Sequence, residues 1–155
     1  MKRVIYFITT LVFMINTGCA QSQNEDEQII SMLREFYIAY NTVWENATTY
    51  KPEEFENKVF SLQQKYCSDR LQGEIKKYYE TYKLEHDLLT NDFGGTDSET
   101  LKSTLTITKD TTKENSYVVT YTVKIKAPST PREEKNVIHL TVVKEKGSYK
   151  IDEVW

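Results

Sequence analysis

The chain has 155 residues, of which 39% are hydrophobic and 28% are charged, with only 5 glycines and 3 prolines. These values are typical of one globular domain and exclude collagen-like, low-complexity and multi-span membrane proteins. The formal net charge is −3, and this acidic balance argues against nucleic-acid binding, which depends on a basic patch.

The N-terminus has the organisation of a secretory signal. Lys2 and Arg3 precede a mostly apolar run over residues 4–15, which is too short to span a bilayer, since spanning takes about 20 residues. Small residues surround Cys19, which is typical of a signal-peptidase cleavage site. A cysteine that directly follows the cleaved bond supplies a thiol to which lipid is attached. This arrangement resembles a bacterial lipoprotein signal, with Asn16 where leucine is usual. A plain signal peptide and a buried first strand are the alternatives.

These features predict a division of the chain into residues 1–18 as signal peptide, 19–27 as a polar tether and 28–155 as one domain. Loss of the two positive charges in the signal would change the net charge from −3 to −5. Several acyl chains on Cys19 would hold the protein firmly, because a single chain holds only marginally. We therefore expect an exported protein whose partner is a membrane, outer or inner, of the bacterial cell envelope.

The second cysteine, Cys67, has no partner for an intramolecular disulfide once Cys19 carries lipid. A lone cysteine could be a nucleophile, a redox thiol or an intermolecular link. We expect instead a small buried hydrophobic residue.

The first half of the chain has helical periodicity. Apolar residues recur at steps of three and four over residues 25–46, which predicts an amphipathic first helix. A weaker stripe predicts a second helix over residues 52–66, with Pro52 in its first turn. Ser68 is suited to cap a third helix over residues 69–89, and the glycine-containing segment that follows ends it.

From Thr100 onward apolar and polar residues alternate, as in strands with one face exposed to solvent. The predicted strands cover residues 101–108, 117–125, 137–144 and 149–155. The third is apolar on both faces for part of its length, which is typical of a central strand. Because the connections are short, apart from a loop over residues 127–135, we expect an antiparallel meander.

Helices followed by antiparallel strands define an α+β protein. The helices must bury their apolar stripes against the apolar face of the sheet. We therefore expect N-terminal helices packed on a curved four-stranded antiparallel sheet, in which strongly twisted strands wrap a long helix and form a half-open cone.

Several short motifs occur in this order along the chain. Tyr66-Cys67-Ser68 is followed by Leu71, and the chain closes on Lys146-Gly147-Ser148-Tyr149-Lys150-Ile151-Asp152-Glu153-Val154. Tyr37 and Tyr40 precede these two motifs. The stretch Glu85-His86-Asp87-Leu88-Leu89 and Asp92 lie between them. Together these motifs resemble the domain-of-unknown-function 3828 family of exported bacterial lipoproteins. The resemblance implies the cystatin-like cone of nuclear transport factor 2 and ketosteroid isomerase, and it implies no activity.

A cone of this kind has a mouth lined by helix and sheet side chains, and a pocket that mixes apolar walls with a few polar groups is the default binding site. The polar candidates are Tyr37, Tyr40, Tyr82, Asp87, Asp92 and His139. An aspartate or histidine in an apolar cone could act as a general base, with a tyrosine polarising a carbonyl. Alternatively, the two carboxylates cap turns, the histidine lies on the outer sheet face, and the tyrosines belong to the core.

The sequence predicts no metal and no cofactor. Its two histidines are far apart and the cysteines are not paired as metal ligands, and the Gly94-Gly95 pair leads into a predicted strand rather than into a phosphate-binding helix. Asp110-Thr111-Thr112 resembles an O-glycosylation acceptor of exported bacterial proteins, with an ordinary turn as the alternative.

We therefore expect a non-catalytic binding module for a small ligand or for another envelope protein. The alternatives are a cofactor-free cone enzyme of isomerase, dehydratase or hydrolase type, and an immunity or assembly protein that acts through its surface. A hollow cone with two polar groups in reach of each other would favour a ligand. A cone filled by Tyr37, Tyr40 and Tyr82 would favour an interaction surface.

Overall fold

The computed structural model describes residues 2–82, 87–91, 96–125 and 132–155. Described side chains begin at Gln23 and exclude those of Tyr82 and Ile125. Within these ranges four α-helices precede and pack on a four-stranded antiparallel sheet. The α+β class predicted from the change of hydrophobic period is therefore confirmed.

The helices are α1 (Lys2–Glu45), α2 (Pro52–Tyr66), α3 (Asp69–Tyr82) and α4 (Ser98–Thr104), with a 3-10 turn at Ala47–Thr49. α2 has the predicted bounds, since Pro52 lies in its first turn and two glutamates follow at its positive end. α1 ends close to its predicted end but begins far earlier, because no proline interrupts residues 2–45. The division into signal peptide, tether and domain stays a prediction.

The strands are β1 (Thr106–Asp110), β2 (Ser116–Ile125), β3 (Arg132–Glu145) and β4 (Ser148–Val154). They lie in the order β1-β2-β3-β4, and every neighbouring pair is antiparallel. β3 is central, as its two apolar faces predict. Lys146 and Gly147 form the turn into β4 with φ angles of 52° and 83°, which suits a tight hairpin. The expected meander is confirmed.

The predicted start of the first strand is wrong. Residues 101–104 belong to α4 rather than to a strand, and β1 begins only at Thr106. Asp97 caps α4, because its carboxylate accepts the backbone N–H of Thr100 at 2.8 Å. Leu101 and Leu105 are four residues apart, so their spacing fits a helix as well as it fits alternation.

The predicted end of the third helix is also wrong. Residues 87–91 form an isolated bridge and a turn instead of continuing α3 to residue 89. The carboxylate of Asp87 accepts the backbone N–H groups of Leu89 at 2.8 Å and Thr90 at 3.0 Å. In a helix these N–H groups would donate to backbone carbonyls one turn earlier. Here they donate to the Asp87 side chain, which stabilises a turn instead of a helix.

The hollow of the sheet is filled by α1. Leu33, Phe36 and Tyr40 have no exposed surface, and Tyr37 is 2% exposed. They pack with the inward residues of the sheet, which are Ile107, Tyr117, Val119, Tyr121, Ile138, Leu140, Val142 and Ile151. The interior of the cone is therefore a side-chain core.

Cys67 lies in this core, with no exposed surface and no disulfide. It forms an isolated bridge with Ile151 of β4. Burial raises the pKa of its thiol to about 12, so the thiol stays protonated and unreactive at neutral pH. The expectation of a small buried hydrophobic residue is confirmed.

Ser68 and Asp152 join the start of α3 to β4. Ser68 Oγ accepts the backbone N–H of Leu71 at 3.1 Å, which makes it the predicted helix cap. The same hydroxyl donates to Asp152 at 2.6 Å, and Arg70 forms an ion pair with Asp152 at 3.0 Å. Burial alone would raise the pKa of Asp152, but the hydrogen bonds from Arg70 and Ser68 outweigh it, so this pKa lies below its usual value of 3.8.

This contact predicts a pH dependence. The pKa of Asp152 is lower in the folded protein than the unfolded value of 3.8, so the ionised carboxylate stabilises the folded protein at pH values above 3.8. This stabilisation is lost as the pH falls through the lower pKa of the folded protein. We expect Asp152→Asn to be less stable than the native chain at about pH 7, with a smaller gap at about pH 3. Urea unfolding of both proteins at the two pH values measures this gap. A gap that stays constant would contradict the proposed linkage.

Two further observations concern the ends and turns of the elements. Among the helices as described, none contains an apolar stretch long enough to cross a bilayer.

Asp110, at the end of β1, accepts the backbone N–H of Thr112 at 2.8 Å and its hydroxyl at 2.6 Å. This is the geometry of an ordinary turn, and modification of the loop stays a prediction.

Candidate functional site

A buried carboxylate connects α1, α3 and the segment that follows α3. Asp87 is 5% exposed. One of its oxygens accepts the hydroxyls of Tyr40 at 2.7 Å and Tyr79 at 3.1 Å. The other accepts the backbone N–H groups of Leu89 and Thr90 and the Thr90 hydroxyl at 3.2 Å. Five donors thus occupy the roughly four lone-pair sites of the carboxylate, which leaves none directed at a substrate.

The two tyrosines remain protonated donors. Burial, followed by the negative charge of Asp87, raises the pKa of Tyr40 well above its usual value of 10.0. Burial and the same charge also raise the pKa of Tyr79. A phenol with a raised pKa keeps its proton at any physiological pH, so both hydroxyls hold the carboxylate in place.

Tyr37 belongs to the same buried region but not to this network. Its hydroxyl donates to the backbone carbonyl of Leu89 at 3.2 Å. Burial raises its pKa well above 10.0. Of the predicted site residues, the structure therefore brings Tyr40 and Asp87 into contact and places Tyr37 beside them, in the core.

His139 lies elsewhere, on the outer face of the sheet. It alternates with the inward Ile138 and Leu140, and its ring stacks on Trp155 with centroids 5.9 Å apart. Its Nδ1 lies 4.0 Å from the carboxylate of Asp110. The structure does not bring His139 to the tyrosines. The side chain of Tyr82, and Asp92, lie outside the described residues.

A cleft opens between α2 and α3, on the far side of the Asp87 network. One part has a volume of about 490 Å³ and is lined by Trp44, Phe55, Glu56, Val59, Phe60, Gln63 and Tyr79. A second part of about 630 Å³ is lined by Phe60, Gln63, Gln72, Gly73, Ile75, Lys76, Tyr79 and Glu80. The two parts share Phe60, Gln63 and Tyr79, and we call them together the helical cleft. Their volumes are typical of small-molecule sites.

Two buried donors in the helical cleft have no acceptor among the described residues. They are Trp44 Nε1 and Gln63 Nε2. Trp44 lies beside the Tyr40 hydroxyl and Gln63 beside the Tyr79 hydroxyl, and each lowers the pKa of that tyrosine as a hydrogen-bond donor does. Both nitrogens are sealed from solvent, so these donors face the protein interior rather than the open cleft.

The walls of the helical cleft are aromatic. Trp44 and Phe55 pack edge to face, with centroids 5.0 Å apart at 81°. Phe60 is 54% exposed, which is unusual for so large an apolar side chain. Such surfaces bind flat apolar groups well.

Sequence reasoning missed Trp44, Phe60, Gln63 and Tyr79 as site residues. One signal was available, since Phe60 lies outside the apolar stripe of Phe55, Val59 and Leu62 on α2. An apolar residue off the stripe must be exposed unless another element covers it.

Another pocket, of about 650 Å³, lies on the other side of α2, against α1. Its lining is more charged, and Lys58 there already contacts the Tyr50 ring and pairs with Glu54. Tyr50 is the one aromatic residue of its lining, against four in the helical cleft, so the helical cleft is the better candidate. In the part of the chain that the structure describes, no group of three or more histidine, cysteine or acidic residues could hold a metal ion.

Comparison with solved structures gives one similar fold. The crystal structure of a protein of unknown function from Bacteroides thetaiotaomicron superposes with a TM-score of 0.70. At 23% sequence identity, the match covers 91% of this chain and 98% of the other. This likeness supports the cone-like fold. No family model and no curated protein matches the chain.

Proposed function

We propose that the protein is an exported, lipid-anchored binding module whose ligand site is the helical cleft. The observation that carries the proposal is an apolar cleft lined by the rings of Trp44, Phe55, Phe60 and Tyr79, with Phe60 54% exposed. A ligand that covers the exposed Phe60 ring would remove apolar surface from water, which is favourable. The filled interior of the cone leaves no room for a ligand there and favours an interaction surface, so a small molecule would bind in this outer cleft instead.

The Asp87 network argues against the alternative of an acid–base enzyme in the cone. A general base needs a free lone pair within reach of the proton it abstracts. Asp87 already accepts five hydrogen bonds, and His139 lies on the opposite face of the sheet. Asp87 instead supports the cleft wall by orienting Tyr79.

A small aromatic probe tests the ligand site directly. The chain has two tryptophans, so Trp155→Phe leaves Trp44 as the only indole reporter. We expect ethylbenzene or acetanilide to change Trp44 fluorescence saturably in this full-length background, measured in detergent micelles against empty micelles. Phe60→Ala should weaken this binding about fivefold or more through lost apolar contact.

Val137→Ala is the matched control, because Val137 is also an exposed apolar residue, 40% exposed, but lies on the sheet. We expect it to bind the probes as the native chain does. If neither probe changes the Trp44 signal, or if both variants bind alike, the helical cleft is not a ligand site.

The proposed location depends on Cys19. The signal-like N-terminus and the resemblance to domain-of-unknown-function 3828 lipoproteins support export and lipid attachment at this residue. In a bacterial host we expect the native chain to incorporate labelled palmitate and to fractionate with membranes, and Cys19→Ser to lose both properties.

Cys67→Ser is the control for this experiment, because Cys67 is the other cysteine of the chain and is fully buried. It should keep the label. A palmitate label that persists in Cys19→Ser would contradict the proposed anchor.

A protein partner is the second candidate function. The outer sheet face carries Trp155, 51% exposed, and Val137, 40% exposed. Lys113 Nζ lies 4.0 Å from the Trp155 ring centroid on this face. Exposed aromatic residues are enriched where proteins dock, so an envelope protein would contact this face and not the helical cleft. Pull-down with Trp155→Ala as the comparison distinguishes the two candidates.

A further inference from the structure

We propose that the end of the domain at which both β-hairpins turn faces the lipid surface, and that α1 holds it there. We call this the hairpin end, and it comprises residues 109–117 and 142–149 together with the start of α1 at Asp26. The inference rests on the proposed lipid anchor at Cys19 and names the surface that the anchored protein presents to the membrane.

The two hairpins lie at the same end of the sheet. Ser116, at the start of β2, pairs with Thr141 near the end of β3, and the backbone N–H of Val142 donates to the carbonyl of Asn115 at 2.9 Å. The turn at residues 146–147 follows directly on this part of β3. The β1–β2 and β3–β4 connections are therefore neighbours.

Asp26 fixes the start of α1 to the hairpin end. Its carboxylate accepts the hydroxyl of Tyr117 at 2.8 Å and forms an ion pair with Lys109 at 2.8 Å. Ile29, about one turn later, is 6% exposed and belongs to the core. From Asp26 the helix continues to Glu45, about 29 Å away. The hairpin end is therefore the end of the domain from which the chain leads back to the proposed anchor.

The segment between the anchor and the domain is short. Asp26 is seven positions after Cys19, and α1 is continuous across them. As a helix this segment spans about 10 Å, and fully extended it would span at most about 24 Å. Both lengths are shorter than the distance between the two ends of α1 in the domain, about 29 Å, so the anchored domain cannot invert.

The charges of the hairpin end do not form a basic cluster. Three of its lysines each pair with a carboxylate. The pairs are Lys109–Asp26, Lys113–Glu153 and Lys146–Asp69, at 2.8, 3.1 and 2.7 Å. Lysines that are already paired attract anionic headgroups less than a polybasic segment does, so the orientation depends on the tether and not on charge.

This orientation keeps the helical cleft accessible from solution. Trp44, which lines the cleft, is one residue before the end of α1 and therefore lies about 27 Å along the helix from Asp26. A dissolved ligand reaches this part of the cleft without entering the headgroup layer.

Two labelling positions test the orientation. Ser148 is exposed at the hairpin end, and Thr48 is exposed just beyond the C-terminal end of α1. Ser148→Cys and Thr48→Cys, each in the lipid-modified chain, are labelled with a thiol-reactive fluorophore and added to phosphatidylcholine vesicles that carry a nitroxide on the headgroup. Cys67 is fully buried and the Cys19 thiol carries lipid, so neither should react with the fluorophore.

We expect the nitroxide to quench the label at Ser148 at least about threefold more strongly than the label at Thr48, because the two positions lie near opposite ends of α1. The ratio of the two should be the same at low and at high salt, since screening weakens only charge attraction. A flexible glycine–serine linker inserted between Gln23 and Asn24 is the matched control. A linker of about 20 residues spans about 25 Å on average, so the ratio should fall toward one.

The outcomes separate this inference from the proposed anchor. If the chain binds the vesicles but both labels are quenched alike, if the ratio falls at high salt, or if it persists with the linker, the inference is overturned while the lipid anchor stands. If the native chain does not bind the vesicles, or if Cys19→Ser binds them equally well, both are overturned.

Discussion

Replacement of Asp87 by alanine is expected to lower the free energy of unfolding by about 3–5 kcal/mol. The change leaves the buried hydroxyls of Tyr40 and Tyr79 and the backbone N–H groups of Leu89 and Thr90 without their acceptor. Each buried donor that loses its partner costs free energy. In a domain of this size the midpoint of thermal unfolding should fall by about 10 °C. Thermal and urea unfolding followed by circular dichroism measure the effect.

Asp69→Ala is the matched control for this prediction. Asp69 also forms a close contact, 2.7 Å from Lys146, but the pair lies on the surface. Surface ion pairs contribute little, so we expect an unfolding midpoint near that of the native chain. If Asp87→Ala were as stable as Asp69→Ala, the carboxylate would have no structural role, and catalysis in the cone would again be a serious alternative.

Phe36→Ala is expected to destabilise the protein by a similar amount, about 3–5 kcal/mol. The Phe36 ring has no exposed surface. It lies with its centroid 5.1 Å from those of Tyr37 and Tyr40 and 5.4 Å from that of Tyr66. Truncation leaves a cavity between α1 and α2 that the surrounding rings can fill only in part.

Phe60→Ala tests whether the helical cleft is distinct from the hydrophobic core. Phe60 is 54% exposed, so its loss exposes little new surface and should leave the unfolding midpoint near the native value. We expect Phe36→Ala to lose stability, and Phe60→Ala to lose ligand binding instead. Equal destabilisation by the two variants would mean that the helical cleft is part of the core.

The bounds of several helices and strands could be predicted from residues that are close together in the sequence. α2 begins at Pro52 and ends at Tyr66 as predicted, because a proline at the start and a regular stripe are short-range signals. The strands from Ser116 onward followed from alternation, and the last turn from its glycine. The spacing of Leu101 and Leu105 fits both a helix and a strand. This segment forms a helix, which Asp97 caps at its N-terminus.

The candidate site followed from the sequence only in part. Tyr40 and Asp87 were named as polar groups of a pocket, but they are 47 residues apart in the chain. Their contact depends on where α1 crosses the segment after α3, which no spacing encodes. Asp87 also accepts the backbone N–H groups of Leu89 and Thr90, so residues 87–91 form a turn rather than part of the predicted helix.

Composition, periodicity and turn residues thus determined the class of the protein and its order of helices and strands, because these depend on neighbours within a few residues. Tertiary structure alone decided that the cone is filled, that His139 faces outward, and that Trp44, Phe60 and Tyr79 from three helices line one cleft. Those features arise from contacts between side chains distant in sequence, whose geometry is fixed only when the helices pack on the sheet.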